Sequence, residues 1–129
     1  MTPDDLRESP LFEGLSDAGL ERLAARSAQI ECEPGQLLAL EGDPGSGMFV
    51  ILDGTVSVEM RGGFHTELEQ GNFFGEIALL VPEATRVARV RAATPVRCLT
   101  VPREDFLALV DSEPTLARRM LHELARRLS

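Results

Sequence analysis

Residues 75–92 of the chain, GEIALLVPEATRVARVRA, open with a glycine and a carboxylate and end in a strand-like segment that starts at Arg86. Gly75 lets the backbone come close to a ligand because it has no Cβ. Glu76 carries a carboxylate, which accepts hydrogen bonds from hydroxyl groups. Arg86 carries a planar fork of donors that matches the oxygens of a phosphate. Together, these residues indicate a site for a phosphate beside a sugar hydroxyl.

The apolar run Ile77-Ala78-Leu79-Leu80 lies between the carboxylate and the loop. It can form a single helical turn, whose first N–H groups lack internal partners and carry partial positive charge. Such a helix start suits a phosphate group. A phosphate, a sugar and a cavity together predict a nucleotide as the ligand.

This stretch is similar to the phosphate-binding cassette of cyclic nucleotide-binding domains, the family of the bacterial catabolite activator, protein kinase A regulatory subunits and cyclic nucleotide-gated channels. The family pattern is roughly F-G-E-aliphatic-A-L, several loop residues, and then R-S/T/A-A-T-V. Residues 74–79 match its first half, and residues 86–90 match its second half except at two positions. Val87 stands where Ser, Thr or Ala is usual, and Arg89 where Thr is common. The resemblance covers nearly the whole chain.

The resemblance implies a fold and a set of ligand contacts. The fold is an α+β domain, an antiparallel β-roll of the double-stranded jelly-roll type flanked by N- and C-terminal helices. The last helix would move over the base as a lid, and Arg118 and His122 are the candidate residues of this helix for contact with the base. The expected ligand-binding residues are Gly75, Glu76, Ile77, Ala78, Arg86 and Val87.

Val87 also predicts which cyclic nucleotide is preferred. In the resembling family, a Ser or Thr beside the cassette arginine offers a hydroxyl to the phosphate and to the 2-amino group of a syn guanine. Valine can neither donate nor accept that hydrogen bond. We therefore expect cyclic AMP as the ligand rather than cyclic GMP.

Composition narrows the class of protein. The chain has 129 residues, 43% of them hydrophobic, which is enough for one domain with a core that needs no disulfide or metal. The net charge is −8, with 13 basic residues, all of them arginine, against 21 acidic ones. This excess of acidic residues argues against nucleic-acid binding. No apolar run approaches the roughly 20 residues of a membrane span, and no signal peptide is visible. We expect a cytoplasmic domain without membrane contact.

The cysteines and histidines suggest no chemistry. Cys32 and Cys98 lie in apolar, strand-like settings, and we expect both to be free, buried and inert. His65 and His122 lie far apart and share no metal-ligand spacing, so no metal site is expected. A Ser-His-acid set, a histidine cluster of the cupin type and a nucleotide-hydrolysis motif are all missing from the sequence. The sequence therefore predicts no catalytic residues, no cofactor and no enzyme.

Along the chain, we expect a single domain over residues 1–129, with helices over about 1–28, the β-roll over about 29–101 and helices over about 103–128. Ser16 can cap a helix that begins at Asp17. The segments 48–52 and 55–60 have the patterns of a buried strand and of an alternating strand. The chain stops at Ser129, so we expect no DNA-binding domain in it.

The last predicted helix carries an apolar stripe. Ala117, Leu121, Leu124 and Leu128 recur at spacings of 4, 3 and 4, with Leu116 and Met120 beside them. The stripe either packs against the roll of its own domain or forms a dimer seam.

Taken together, the sequence predicts a non-catalytic sensor in which a cyclic nucleotide shifts the flanking helices, because it prefers one arrangement of them. The alternative is a ligand-free interaction or dimerisation module that keeps the fold. The expected partners are the cyclic nucleotide, a second copy of the chain if the stripe is a seam, and an effector domain if the chain is part of a larger protein.

Overall fold

A computed structural model describes residues 2–39, 47–60, 63, 65–75 and 88–128. The helices in these ranges are α1 (Pro3–Leu6), a 3-10 helix (Pro10–Phe12), α2 (Asp17–Arg26), α3 (Arg103–Ser112) and α4 (Pro114–Arg127). The strands are β1 (Ala28–Cys32), β2 (Leu37–Ala39), β3 (Gly47–Asp53), β4 (Thr55–Met60), β5 (His65–Glu69), β6 (Phe73–Phe74), β7 (Ala88–Ala92) and β8 (Val96–Pro102).

The strands form two antiparallel sheets. The inner sheet has the order β1-β8-β3-β6, and the outer sheet has the order β2-β7-β4-β5. The helices that precede and follow the strands pack on the inner sheet. The predicted α+β class, an antiparallel β-roll flanked by helices, is confirmed.

The inner sheet is buried on both faces, as β3 illustrates. Met48, Val50 and Leu52 face the helices and belong to the helix-side core. Phe49 and Ile51 alternate with them and belong to the core inside the roll. This alternation follows from the two-residue period of a strand, which sends successive side chains to opposite faces. The inner sheet therefore separates the interior of the roll from the helix layer.

The N-terminal helical region contains a helix, α2, whose start is set by a capping side chain. Ser16 caps α2, because its hydroxyl oxygen accepts a hydrogen bond from the backbone N–H of Gly19 at 3.4 Å. The predicted cap is thus confirmed. The N-terminal helical region is divided into α1, the 3-10 helix and α2 rather than continuous.

Helix α4 buries a different face from the apolar stripe that the sequence suggested. Leu116 and Met120 are 0% and 3% exposed in the helix-side core, whereas Leu121 and Leu128 are 68% and 90% exposed. Successive residues of a helix differ in direction by about 100°, so a helix that buries Met120 turns Leu121 away. The prediction that the whole stripe packs against its own domain is therefore wrong for Leu121 and Leu128.

Cys32 and Cys98 are free and buried, as predicted. None of the helices in the described ranges is long and apolar enough to cross a membrane. Within the same ranges, no group of three or more His, Cys, Asp and Glu side chains is placed to hold a metal ion.

Candidate functional site

Of the predicted ligand-binding residues, the structure describes Gly75. Glu76, Ile77, Ala78, Arg86 and Val87 lie outside the described residues, so their roles stay predictions. The described residues around the cassette belong to β6 and β7, which lead into it and out of it, and to α4, which packs beside β6.

Gly75 directly follows β6, and its backbone has a φ of 87°. A residue with a Cβ pays about 1–2 kcal/mol in this left-handed region, so the position favours glycine. The cassette therefore begins with a turn out of β6 that a glycine makes without strain.

Strand β6 presents one phenylalanine to each side of the inner sheet. It pairs with β3, so that Phe74 lies opposite Phe49 and Phe73 opposite Val50. Phe74 faces the interior of the roll and stacks on Phe49, with ring centroids 4.7 Å apart and planes 8° apart. Phe73 faces the helix-side core and is 2% exposed. At the start of the cassette, the adjacent residues Phe73 and Phe74 thus contact the helix layer and the roll interior.

Strand β7 leads out of the cassette. Ala88, Val90 and Ala92 are buried inside the roll and alternate with Arg89 and Arg91, which are more exposed. Arg89 lies on the other face, half-exposed, with its guanidinium 4.0 Å from a carboxylate oxygen of Glu59.

The two candidate lid residues, Arg118 and His122, lie on the exposed part of α4. Both line a cavity of about 400 Å³, together with Pro10 and Leu11 of the 3-10 helix and with residues 71–73. The cavity lies on the helix side of the inner sheet, since Leu11 and Phe73 belong to the helix-side core. Whether either side chain contacts a base stays a prediction.

Two other arginines of α4 bind backbone carbonyl groups, and the sequence analysis did not predict these contacts. The first is Arg119, whose Nη1 donates to the carbonyl oxygens of Pro10 (3.2 Å), Leu11 (3.1 Å) and Glu13 (2.6 Å). These carbonyls lie in and just after the 3-10 helix. Arg119 therefore ties α4 to the N-terminal helical segment.

The second is Arg127, near the end of α4. Its Nη2 donates to the carbonyl oxygen of Phe73 at 2.5 Å and to Oδ1 of Asn72 at 3.2 Å. Its guanidinium carbon lies 4.7 Å from the centroid of the Phe73 ring. Arg127 is seven residues after the buried Met120, and this helical spacing is the one signal in the sequence that places it on the buried face.

Glu123 accompanies Arg127. Its Oε1 accepts hydrogen bonds from Nη2 of Arg126 at 2.7 Å and from Nε of Arg127 at 3.2 Å. The hydrogen bonds from Arg126, followed by those from Arg127, lower the pKa of Glu123 below its ordinary value of 4.5. The carboxylate is therefore ionised at neutral pH and holds both guanidinium groups.

A separate ion pair ties α2 to α3. Asp105, 4% exposed at its side chain, lies 3.1 Å from Nε of Arg22 and 3.5 Å from Nε of Arg26. Both arginines are more than half exposed, so solvent screens these ion pairs and each adds little to stability.

Comparison with known proteins agrees with this architecture. A family model described as "Cyclic nucleotide-binding domain" matches residues 29–113. A cyclic nucleotide-gated potassium channel of Mesorhizobium japonicum is 37% identical over 108 residues, which are 84% of this chain and 30% of the channel. Glutaminase 1 of Bradyrhizobium diazoefficiens is 33% identical over 126 residues, which are 97% of this chain and 20% of that protein.

Among solved structures, the cAMP-binding acyltransferase from Mycobacterium smegmatis superposes with a TM-score of 0.84 and 32% identity, over 98% of this chain and 40% of that one. The chain spans less than a third of the length of either curated relative. The resemblance noted for residues 74–90 is therefore confirmed across most of the chain, and the chain belongs to the cyclic nucleotide-binding domain family.

Proposed function

We propose that the domain is a sensor that binds cyclic AMP in the cassette and reports occupancy by a shift of its C-terminal helices. The observation that carries this proposal is the family match over residues 29–113, which includes the whole cassette. The left-handed backbone of Gly75 at the start of the cassette supports it. Cyclic GMP is the less favoured ligand.

Replacement of Arg86 tests the phosphate contact. Arg86→Ala removes a charge-assisted interaction and should lower the affinity for cyclic AMP roughly ten- to hundredfold. Arg89→Ala is the matched control, because Arg89 points away from the roll interior. Isothermal titration calorimetry measures both. Equal binding by Arg86→Ala and the wild-type domain would contradict the role of Arg86, and a wild-type domain that binds no cyclic nucleotide would refute the proposed function.

Glu76 is proposed to accept a hydrogen bond from the ribose 2′-hydroxyl. Titration with 2′-deoxy cyclic AMP should then give distinctly weaker binding than titration with cyclic AMP. Glu76→Gln keeps an acceptor oxygen and should lose less of this discrimination than Glu76→Ala. Equal affinity of the wild-type domain for the two nucleotides would show that Glu76 faces another group.

Val87 is proposed to set the preference for adenine. A guanine 2-amino group that meets a valine methyl instead of a hydroxyl loses a hydrogen bond, at a cost of roughly 1–3 kcal/mol. We expect cyclic AMP to bind at least about tenfold more tightly than cyclic GMP, because 1.4 kcal/mol corresponds to that ratio. Val87→Thr should narrow the ratio. An unchanged ratio in the variant would exclude Val87 as its cause.

The proposed helix shift requires that the nucleotide prefer one arrangement of the helices. Arg119 and Arg127 give α4 separate contacts with the N-terminal helical segment and with β6, and a shift of the helix would have to keep or release each of them. Candidate base contacts are Arg118 and His122, and Ala substitution of each followed by titration tests them.

The second candidate function is a dimerisation module that does not need the nucleotide. It is favoured by one observation, the exposure of Leu121 and Leu128 on α4 at 68% and 90%. These two residues lie seven apart, as in a coiled-coil seam. Sedimentation at several protein concentrations, with and without cyclic AMP, decides whether the chain associates and whether the ligand controls it.

We further propose that the domain itself is non-catalytic, lies in the cytoplasm and regulates an effector when it is part of a longer protein. The short share that it covers of glutaminase 1 and of the acyltransferase supports the last point. Incubation with cyclic AMP followed by chromatography tests whether the domain is non-catalytic. Unchanged nucleotide is expected, and the appearance of AMP would show that the domain hydrolyses it.

A further inference from the structure

The guanidinium of Arg127 joins the last helix to the strand that leads into the cassette. Its Nη2 lies 2.5 Å from the carbonyl oxygen of Phe73 and 3.2 Å from Oδ1 of Asn72. The Arg127 side chain is 22% exposed and also lies against the ring of Phe73. A charged group that is largely withdrawn from water needs such partners, so these contacts hold the side chain in place.

The attachment point lies close to the cassette. Phe73 precedes the buried Phe74 by one residue and Gly75 by two. Because Phe74 stacks on Phe49 inside the roll, the backbone between Phe73 and Gly75 is held from both sides of the inner sheet. A displacement of this segment relative to α4 would therefore stretch or break the Arg127 hydrogen bonds.

The neighbouring arginine provides a comparison within the molecule. Arg126 and Arg127 both bind the carboxylate of Glu123. Arg126 is 59% exposed, and within the described part of the chain its hydrogen bonds go to Glu123. The contact with β6 therefore distinguishes Arg127 from a residue of the same charge on the same helical turn.

We propose that Arg127 is a positioning residue that holds α4 against Phe73 and thereby couples the last helix to the entry of the cassette. The ligand-dependent part of this coupling rests on the proposed function, whereas the attachment of α4 to β6 does not. Coupling of this kind is reciprocal, so that whatever the nucleotide does to α4 through this contact, the position of α4 does to nucleotide affinity.

The first experiment uses no ligand. Hydrogen exchange is measured by mass spectrometry over residues 69–75 and over α4 in the wild-type domain, Arg127→Met and Arg126→Met. Loss of the charge-assisted bonds in Arg127→Met should accelerate exchange in residues 69–75 roughly tenfold or more, and Arg126→Met should stay near the wild-type rate. Equal rates in the two variants would overturn the proposal.

Arg127→Lys protects the test against a folding failure of the methionine variant. Lysine keeps the positive charge beside Glu123 and the Phe73 ring, but a single ammonium group lacks the fork that spans the carboxylate, Asn72 and the carbonyl. It should therefore accelerate exchange in residues 69–75 in the same direction. A wild-type exchange rate in Arg127→Lys would show that charge alone, rather than the fork, accounts for the effect, against the proposal.

The second experiment adds cyclic AMP at saturation. We expect a change in α4 exchange in the wild-type domain and in Arg126→Met, and its loss in Arg127→Met even where the variant still binds the nucleotide by calorimetry. The same α4 response in Arg127→Met would overturn the coupling. If the wild-type domain binds no cyclic nucleotide, the proposed function fails, and the ligand-free comparison still decides whether Arg127 holds α4 to β6.

Discussion

Replacing Leu116 and Leu121 separately with alanine tests which face of α4 is anchored. Leu116 is 0% exposed and lies in the helix-side core, whereas Leu121 is 68% exposed. The two residues are on the same helix, and the same three carbon atoms are removed in each case. Any difference between the variants therefore reports the surroundings of the side chain rather than the chemistry of the substitution.

The expected magnitudes differ widely. At about 0.8 kcal/mol per buried carbon, the three atoms lost at Leu116 account for about 2.4 kcal/mol. A residual cavity adds to this, so the free energy of unfolding should fall by about 2–5 kcal/mol. At Leu121 little buried area is lost and alanine is a good helix former, so the change should stay within about 0.5 kcal/mol.

Urea unfolding followed by far-ultraviolet circular dichroism is the suitable assay, because the chain has no Trp or Tyr for intrinsic fluorescence. Measurements at a low and a high protein concentration separate the two alternatives for the apolar stripe. A loss in Leu121→Ala that appears only at high concentration indicates a dimer seam. Equal losses in both variants at low concentration would refute the assignment of the buried face.

Three further predictions follow from other parts of the fold. Gly54→Ala should destabilise the domain by about 1–3 kcal/mol more than Gly35→Ala in the same urea assay. Both glycines have a positive φ, 94° at Gly54 and 90° at Gly35, so the backbone strain of the substitution is similar. The difference is steric, because a Cβ at Gly54 would lie 2.2 Å from the carbonyl oxygen of Pro95, whereas a Cβ at Gly35 would meet nothing within 4 Å. Burial raises the pKa of Cys98 to about 12, so its alkylation by iodoacetamide should be much slower in the folded domain than in urea, and equal rates would contradict its burial. Hydrogen bonds from two arginines lower the pKa of Glu123, so the contribution of Glu123 to stability is present above the ordinary pKa of 4.5 and is lost as the pH falls through the lowered pKa. In thermal melting as a function of pH, the melting temperature of Glu123→Gln should therefore fall less steeply in acid than that of the wild-type domain. Parallel curves would contradict this.

Strands β3 and β4 could be predicted from the sequence because the patterns that indicate a strand involve only residues that are neighbours in the chain. The segment 55–60 was expected as an alternating strand, and β4 occupies Thr55–Met60. The buried run at 48–52 lies inside β3, which extends from Gly47 to Asp53. In both cases the two-residue period and the flanking turn residues are sufficient, since each acts through neighbours in the chain.

The orientation of α4 could not be predicted in the same way. Its apolar residues fit two overlapping stripes, one through Leu116 and Met120 and the other through Leu121 and Leu128, and both have helical spacing. The choice between them depends on what lies beside the helix, namely the 3-10 helix and β6. Residues 76–87, with five of the six predicted ligand contacts, lie outside the described residues, so those contacts remain predictions.

The arginine contacts of α4 bear on how far a nucleotide can move this helix. Arg119 and Arg127 each bind main-chain carbonyl oxygens, and such acceptors exist at every residue, so no sequence pattern indicates which carbonyl is used. Each charge-assisted interaction is worth about 1.5–3 kcal/mol, and the lower figure applies to these partly exposed groups. Releasing both would cost about 3 kcal/mol, which is more than half of the roughly 5.5 kcal/mol of differential binding that moves a two-state equilibrium from 1:99 to 99:1. A movement that releases Arg119 and keeps Arg127 on Phe73 needs about half as much. A movement that releases Arg127 and keeps Arg119 needs the same amount, so a shift of α4 that keeps either contact demands less differential binding than one that releases both.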